Sequence, residues 1–283
     1  MKTMIILPAF NVENEIGKVL ETLQLYRGRT IIVDDGSTDR TGDIIKKYGF
    51  RCLFHEKNMG VSAALRDGLR LAKKEGYEAA VILDADGQHD PREIRKFEEK
   101  LEAGADLVTG NRFSQIEAVP REKICVNTMA ALILRQRYQF DFIDMSCGFK
   151  AFRLSDQILS VLEKSSSYSF IFDLLMLAFV NQKKIESVKI PCIYPKDQLY
   201  FTRSIEMLSF FEAFQRWHRK SYCSRLGLFQ LYRQVMREED FTYVLSEIMF
   251  RGVYLKQLQG YQLDMRQLKH WPVMEKSDQK GTI

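Results

Sequence analysis

Short runs of β-branched and apolar residues alternate with amphipathic segments along the first 110 residues of the chain. The runs predict five strands, at Thr3–Leu7, Thr30–Asp34, Arg51–His55, Ala79–Leu83 and Asp106–Thr109. Between them apolar residues recur with the period of a helix, as at Ile16, Val19, Leu20, Leu23, Leu65, Leu69 and Ala72. This alternation favours an α/β fold, a doubly wound and mostly parallel sheet flanked by helices.

The pattern is less regular after Arg112. Further helices are predicted near Ile124–Tyr138 and Ile171–Val180, and further strands near Cys147–Arg153 and Ile185–Ile190. Beyond residue 204 the sequence favours helices almost throughout. We therefore predict one α/β domain over residues 1–204 and a helical C-terminal extension over residues 205–283.

The composition is that of an ordinary globular protein. A length of 283 residues is enough for one large core and an extension. The five cysteines show no CxxC spacing, which argues against a zinc site and fits reduced thiols. Because no run approaches the roughly 20 apolar residues of a transmembrane helix, we predict a cytoplasmic location without a membrane span.

The charge distribution is uneven. The net charge of +5 is modest, and we predict no nucleic-acid partner. Seven basic residues nevertheless lie between Arg203 and Arg237, against only two acidic ones. That segment could meet an anionic surface, such as the inner face of a membrane.

Polar residues gather where four of the predicted strands end, at Pro8–Glu13, Asp34–Thr41, Asn58–Ser62 and Asp84–Asp90. In open α/β sheets, ligands bind outside the carboxyl ends of the strands. The four clusters therefore predict one site at this edge of the sheet.

A pair of carboxylates follows the fourth predicted strand. Asp84 and Asp86 can converge on one hard cation, and Gln88 adds a neutral oxygen within reach. Mg²⁺ or Mn²⁺ suits such ligands, and as a Lewis acid the ion would neutralise charge on a leaving diphosphate. The alternative is that the two aspartates only solvate the end of a strand.

A second acidic pair, Asp34 and Asp35, follows the second predicted strand. These carboxylates can accept hydrogen bonds from a base or a ribose, while Gly36 allows a sharp turn. A capped turn before a helix is the simpler interpretation. It explains Ser37 and Asp39 but not the adjacent Asp34.

Taken together and in order, these segments resemble a known family. The segments ILPAFNVENEI, IIVDDGSTDRT, NMGVSAALRDGL, ILDADGQHDP and TGNRF resemble family 2 glycosyltransferases of the GT-A fold. DMSCGFKAF and KIPCIYP look like the branch of dolichol-phosphate mannosyltransferases and polyprenyl-phosphate glycosyltransferases. The resemblance covers about residues 3 to 205.

The resemblance implies a nucleotide-sugar donor, a UDP-sugar or a GDP-sugar, and an inverting transfer. The implied donor-binding residues are Pro8, Phe10, Glu13, Asp34, Asp35, Asp84, Ala85, Arg112 and Arg203. The implied ligands of Mg²⁺ or Mn²⁺ are Asp84, Asp86 and Gln88, and Asp86 and Arg112 are expected to act in catalysis. Arg203 would contact phosphates from a mobile loop.

Two positions depart from the family pattern. Val12 replaces the usual glutamate after the first strand, so that a donor contact is lost or displaced to Glu13. Asp197, beside Lys196, replaces an expected arginine. The departures leave the identity of the donor open.

The acceptor implied by the resemblance is a polyprenyl phosphate. A phosphate monoester is largely ionised near neutral pH and can attack without a general base. A hydroxyl acceptor on a small molecule, glycan or protein would need one, and Asp173 stands where hydroxyl-directed relatives carry a base. Asp173 could equally cap a helix or form an ion pair.

The extension bears on the acceptor as well. An aromatic and apolar stripe in it comprises Ile205, Leu208, Phe211, Phe214 and Trp217. The stripe could lie on an anionic bilayer, making the protein peripheral to a membrane. We favour the alternative that it packs on the α/β domain or on a second subunit in a homo-oligomer.

Three rival functions share parts of the pattern. A response-regulator receiver fails because a complete βα unit precedes the pair at Asp34. A sugar nucleotidyltransferase would be expected to carry a glycine-rich loop after its first strand. A non-catalytic binding module has no need of Asp84, Asp86, Gln88 and Arg112 together.

Overall fold

The computed structural model describes residues 1–114, 119, 127, 144–165, 168–194, 209, 210, 213, 216 and 217. Arg203 and nearly all of the predicted helix at Ile124–Tyr138 lie outside these residues, as does the extension beyond Trp217. Among the described helices, none combines the length and the apolar character that a membrane span requires.

Among the described residues, seven strands form a single sheet. They are β1 (Thr3–Ala9), β2 (Thr30–Asp34), β3 (Arg51–Phe54), β4 (Ala79–Ile82), β5 (Leu107–Asn111), β6 (Lys150–Arg153) and β7 (Ile185–Lys189). The strand order is β3-β2-β1-β4-β6-β5-β7. Strand β6 runs antiparallel to both of its neighbours, and the other pairs are parallel. The predicted fold class, a mostly parallel α/β sheet, is confirmed.

Helices cover both faces of the sheet. They are α1 (Ile16–Thr22), α2 (Thr41–Lys47), α3 (Val61–Lys74), α4 (Ile94–Glu102), α5 (Asp156–Lys164) and α6 (Ser169–Val180). Short 3₁₀ turns lie at Gln24–Arg29 and Pro91–Glu93. Helices α3, α5 and α6 pack on one face, and α1, α2 and α4 on the other. The alternation of side chains along each strand feeds both cores.

The largest difference between a predicted and an observed strand boundary is at the start of β6. A strand was expected from Cys147, but pairing with β4 begins only at Lys150, opposite Ile82. Strand β4 ends at Ile82, so that the three residues before β6 have no β4 residue to pair with, although the carbonyl of Phe149 accepts from the backbone N–H of Gly110 in β5 at 2.9 Å. They pass behind the turn that follows β4, where Gly148 lies against Asp84.

The described residues of the extension pack on the α/β domain. Phe210 and Ala213 are fully buried in the core beneath α6. The ring of Phe210 meets that of Phe172 edge-on, with centroids 5.4 Å apart. Trp217 packs against the same core. Of the predicted stripe, Trp217 alone is among the described residues, and it packs on the α/β domain as the favoured alternative predicts; Ile205, Leu208, Phe211 and Phe214 lie outside them.

Candidate active site

A cavity of about 590 Å³ opens at the carboxyl edge of the parallel strands. Its lining includes eight of the predicted site residues, namely Pro8, Phe10, Asp35, Asp84, Ala85, Asp86, Gln88 and Arg112. Glu13, Asp34 and Asp173 do not belong to the lining. The strand-end clusters therefore meet at one place, as the sequence predicted, but three of the predicted residues serve other contacts.

The turn after β4 presents its carboxylates to the cavity. The side chain of Asp84 is 43% exposed. Asp86 accepts two hydrogen bonds from Gln88, from the backbone N–H and from the side-chain amide, both at 2.9 Å. Gly87 has a φ of +80°, which lets the chain reverse between these two residues. Gln88 thus holds Asp86 in place with its N–H groups.

The donor set fits a hard divalent cation that also binds substrate phosphates. Within the described part of the chain, no group of three or more histidine, cysteine, aspartate or glutamate side chains could hold a metal by itself. Mg²⁺ and Mn²⁺ commonly take one or two carboxylates and complete their shell with phosphate and water. Asp84 and Asp86 supply that number of carboxylates.

A buried histidine that sequence reasoning missed closes this turn. The backbone N–H of Asp84 donates to Nδ1 of His89 at 3.0 Å, so that Nδ1 carries no proton. Burial lowers the pKa of His89 to about 4, which keeps the ring neutral. Its short separation from Asp84 is therefore a contact of a neutral ring and not an ion pair. The sequence signal that could have identified His89 is its position five residues after Asp84.

Asp35 lines the cavity and also fixes its rim. Its carboxylate accepts hydrogen bonds from the backbone N–H groups of Met59 and Gly60, at 2.9 and 2.7 Å. Nδ1 of His55 lies 2.6 Å from the same carboxylate. Asp35 thereby ties the loop before α3 to the end of β2, next to the place expected for a nucleoside.

Asp34 and Glu13 serve the α2 connection and do not reach the cavity. Asp34 accepts from the backbone N–H of Ser37 at 2.9 Å and so closes the turn after β2, a role that the capped-turn interpretation did not give it. Glu13 accepts from the backbone N–H and from Nε of Arg40, at 3.1 and 3.0 Å. The hydrogen bonds from Arg40 lower the pKa of the Glu13 carboxyl group. The structure does not bring these two predicted donor contacts to the site.

Arg112 reaches the cavity as half of a buried ion pair. Its Nε and Nη2 donate to the two carboxylate oxygens of Asp144, at 2.7 and 2.6 Å. Its Nη1 donates to the hydroxyl of Tyr194 at 2.9 Å. Burial alone would lower the pKa of Arg112, but Asp144 raises it well above its ordinary value. Asp144 is the partner that the sequence analysis overlooked, 32 residues away.

Comparison with known families matches residues 4–157 to Glycosyl transferase family 2. The chain belongs to this family. One relative is 29% identical over 75% of this chain and 93% of its own length. It is the UDP-N-acetylglucosamine–dolichyl-phosphate N-acetylglucosaminyltransferase of Methanococcus voltae. The polyprenol monophosphomannose synthase of Mycolicibacterium smegmatis is 26% identical over 70% and 79% of the two chains.

A solved structure supports the fold assignment. Glucosyl-3-phosphoglycerate synthase from Mycobacterium tuberculosis, in complex with Mn²⁺, UDP and phosphoglyceric acid, superimposes with a TM-score of 0.58. The alignment has 19% sequence identity and covers 79% of this chain and 81% of that one. At this identity the likeness establishes the GT-A fold, and the ligands belong to the mycobacterial enzyme.

In this family 2 glycosyltransferase, the start of α6 forms one wall of the cavity. Tyr168, Phe170 and Ile171 line the cavity there. Burial raises the pKa of the Tyr168 hydroxyl, and the nearby charges of Asp84 and Asp86 raise it further. Tyr168 is thus a neutral hydrogen-bonding group beside Asp84 and Asp86.

Asp173 lies one turn further along α6 and is completely buried. Its carboxylate accepts from the hydroxyls of Ser165 and Ser169, at 2.7 and 3.0 Å. Nε1 of Trp217 donates to it at 3.0 Å, and Arg216 forms an ion pair with it. This position does not fit the predicted role of a general base, because four donors occupy the carboxylate outside the cavity lining.

Proposed function

We propose that this family 2 glycosyltransferase moves a sugar from a UDP-sugar or GDP-sugar to a polyprenyl phosphate, with inversion at the anomeric carbon. An oxygen of the lipid phosphate forms a bond to C1 of the sugar. The bond from C1 to the diphosphate oxygen breaks, and the nucleoside diphosphate leaves with the electron pair. No proton has to be removed from the attacking group.

The location of the acidic side chains carries this proposal. Among the described residues that line the cavity, the carboxylates are Asp35, Asp84 and Asp86, and all three lie on turns that follow β2 and β4. The wall formed by α6 offers Ile171 to the cavity and turns Asp173 away. A hydroxyl acceptor would need a base at that wall. A phosphate acceptor needs none, and the names of the two curated relatives point to such acceptors.

We assign the donor to the opposite end of the cavity. Pro8, Phe10 and Asp35 would contact the nucleoside, and Ala85 would lie against the donor between the two metal-binding residues. Arg112 would face phosphate. Because Asp144 already fixes the guanidinium group, little reorganisation is needed when a phosphate arrives. Arg203 stays an expectation, since it lies outside the described residues.

Asp84 and Asp86, with Gln88, would hold Mg²⁺ or Mn²⁺. The ion supplies Lewis-acid stabilisation of the leaving diphosphate. The protein's own contribution is to keep both carboxylates at the cavity and to hold Asp86 through Gln88.

The test is a transfer assay with matched lipid acceptors. The full chain is incubated with Mn²⁺, undecaprenyl phosphate in detergent, and radiolabelled UDP-GlcNAc, UDP-glucose or GDP-mannose in parallel. We expect that one of the donors gives a labelled lipid in the organic phase. Mild acid should release the labelled sugar from that lipid. Undecaprenol, which carries a hydroxyl in place of the phosphate, should receive none.

Transfer to undecaprenol would contradict the proposal. That result would mean that the enzyme activates a hydroxyl, and the base would then lie beyond the described residues that line the cavity.

A further inference from the structure

The turn that carries the proposed metal ligands is closed on itself by the side chain of His89. Nδ1 of His89 accepts the backbone N–H of Asp84 at 3.0 Å, which joins the first residue of the turn to its last. Asp86 and Gln88 lie inside the loop, joined by their own two hydrogen bonds. All three proposed ligands therefore belong to one closed unit.

The ring of His89 is held firmly from behind. The residue is only 2% exposed. Its ring lies 5.4 Å from that of Phe149, which in turn stacks on Phe97 with centroids 4.2 Å apart. Nε2, which carries the ring proton, faces the thiol of Cys147 at 3.9 Å. The packing fixes the ring, and the ring fixes the turn.

Gly148 confines the carboxylate of Asp84 on its other side. A Cβ atom added at Gly148 would lie 2.5 Å from Oδ2 of Asp84 and 3.1 Å from its Cγ. Nδ1 of His89 lies 3.4 Å from the same Oδ2. The carboxylate therefore occupies a slot between the backbone of Gly148 and the ring of His89, and its remaining exposed surface faces the cavity.

We propose that His89 and Gly148 are positioning residues for the cation. His89 fixes the turn through its Nδ1 acceptor, and Gly148 leaves the space in which the Asp84 carboxylate is presented. This inference rests on the proposed function, because it takes Asp84 and Asp86 as the metal ligands. Neither residue would touch the ion. Outer-shell partners of metal ligands typically change metal affinity by about 10-fold to 100-fold when they are replaced.

The experiment measures Mn²⁺ affinity directly, from the electron paramagnetic resonance signal of free Mn²⁺, with UDP and GDP in separate titrations of the full chain. His89→Leu removes the acceptor and should raise the Kd for Mn²⁺ by at least about tenfold. His89→Asn is the matched control, because its Oδ1 takes the place of Nδ1 and can accept from Asp84. It should stay well below that tenfold loss.

A second pair of variants tests the slot and does not depend on the folding of His89→Leu. Gly148→Ala places a methyl group against the Asp84 carboxylate and should raise the Kd for Mn²⁺ by at least about tenfold. Gly17→Ala adds the same methyl group in α1, where its nearest neighbour is the Tyr48 hydroxyl at an ordinary 3.6 Å. It should leave Mn²⁺ binding unchanged.

The possible outcomes separate this inference from the proposed function. Wild-type Mn²⁺ affinity in folded His89→Leu and Gly148→Ala overturns the inference and leaves the proposed function standing. Equal losses in His89→Leu and His89→Asn overturn the assignment of Nδ1 as the acceptor that matters. If the unaltered protein binds no Mn²⁺ with either nucleotide, the metal assignment in the proposed function fails, and the inference fails with it.

Discussion

Two regions of this molecule surround aspartates with hydrogen-bond donors, and they use those donors in opposite ways. In the turn from Asp84 to His89, here called the metal turn because it carries the proposed ligands, Asp86 is held by donors from Gln88, and Asp84 keeps a side chain that is 43% exposed. In the α6 node, defined here by Asp173 with Ser165, Ser169, Arg216 and Trp217, the carboxylate is completely buried. The metal turn presents its negative charge to a ligand. In the α6 node the negative charge of Asp173 is paired within the protein, and the pairing joins two parts of the chain.

The difference shows that an aspartate at a motif position does not define a role by itself. Asp84 and Asp86 lie in a segment that resembles the family, and Asp173 stands where hydroxyl-directed relatives carry a base, two residues after Ile171 in the cavity lining. The direction in which the carboxylate points, and the donors that already occupy it, separate a proposed metal ligand from an anchor. Three changes of side chain test this contrast.

The largest effect is expected in the metal turn. Asp86→Asn keeps the shape of the side chain but removes its charge, which should lower kcat by at least about a thousandfold, since metal-assisted charge stabilisation contributes several kcal/mol. The measurement is the initial rate of sugar transfer at saturating Mn²⁺. Asp90→Asn is the control, because that carboxylate caps the 3₁₀ turn at Pro91–Glu93 and does not line the cavity. Unchanged turnover in Asp86→Asn would remove the metal turn from the mechanism.

The parts of the fold that rest on local patterns could be predicted from the sequence. Strand β2 was predicted with its observed bounds because a β-branched run is flanked there by polar residues. The insertion of β6 between β4 and β5 could not be foreseen. Lys150 begins a strand that is paired on both sides and fully buried at that residue, whereas its charge would suggest an exposed edge. Strand pairing is a long-range property that composition does not encode.

The site follows the same division. Asp84, Asp86 and Gln88 adjoin one another in sequence, so that their convergence in one turn could be predicted. Asp144 pairs with Arg112 from 32 residues away, and Gly148 approaches Asp84 across an even longer separation. The orientation of Asp173 depends on the rotation of α6, which short-range periodicity does not fix to within one residue. Sequence reasoning therefore found the proposed ligands but missed the residues that hold them.

A smaller effect is expected from a substitution in the α6 node. It should change the free energy of unfolding and not the turnover. Asp173→Ala leaves Arg216 without its partner and two serine hydroxyls and an indole N–H without an acceptor, which should lower the free energy of unfolding by about 3 kcal/mol. Urea denaturation measures the loss. Asp156→Ala is the control, because its side chain is 92% exposed in its ion pair with Lys73, and it should cost less than about 0.5 kcal/mol.

Activity per folded molecule separates the anchor from a base. An anchor predicts that folded Asp173→Ala keeps nearly all of its kcat. A fall of about a hundredfold, the least that general-base catalysis usually contributes, would restore Asp173 to the mechanism. It would also erase the contrast between the two regions.

The smallest effect concerns Lys150, which lies in β6 beside the strand that leads to the metal turn. The side chain is fully buried, and Nζ donates to the hydroxyl of Thr109 at 2.7 Å. Burial lowers the pKa of Lys150 to about 8, from an ordinary value of 10.5. Between these two values the unfolded chain binds a proton that the folded chain has released, so the contribution of Lys150 to stability must rise with pH.

The free energy of unfolding of the wild-type protein relative to Lys150→Met should therefore increase by about 1 kcal/mol for the first pH unit above 8, and level off below about pH 7. Urea denaturation of both proteins at several pH values gives this difference, and other titrating groups cancel in it. A flat difference would mean that the buried lysine keeps its ordinary pKa. A falling difference would mean that a negative charge holds the proton on Lys150, and that the ion pair of Arg112 and Asp144 extends its influence across the sheet.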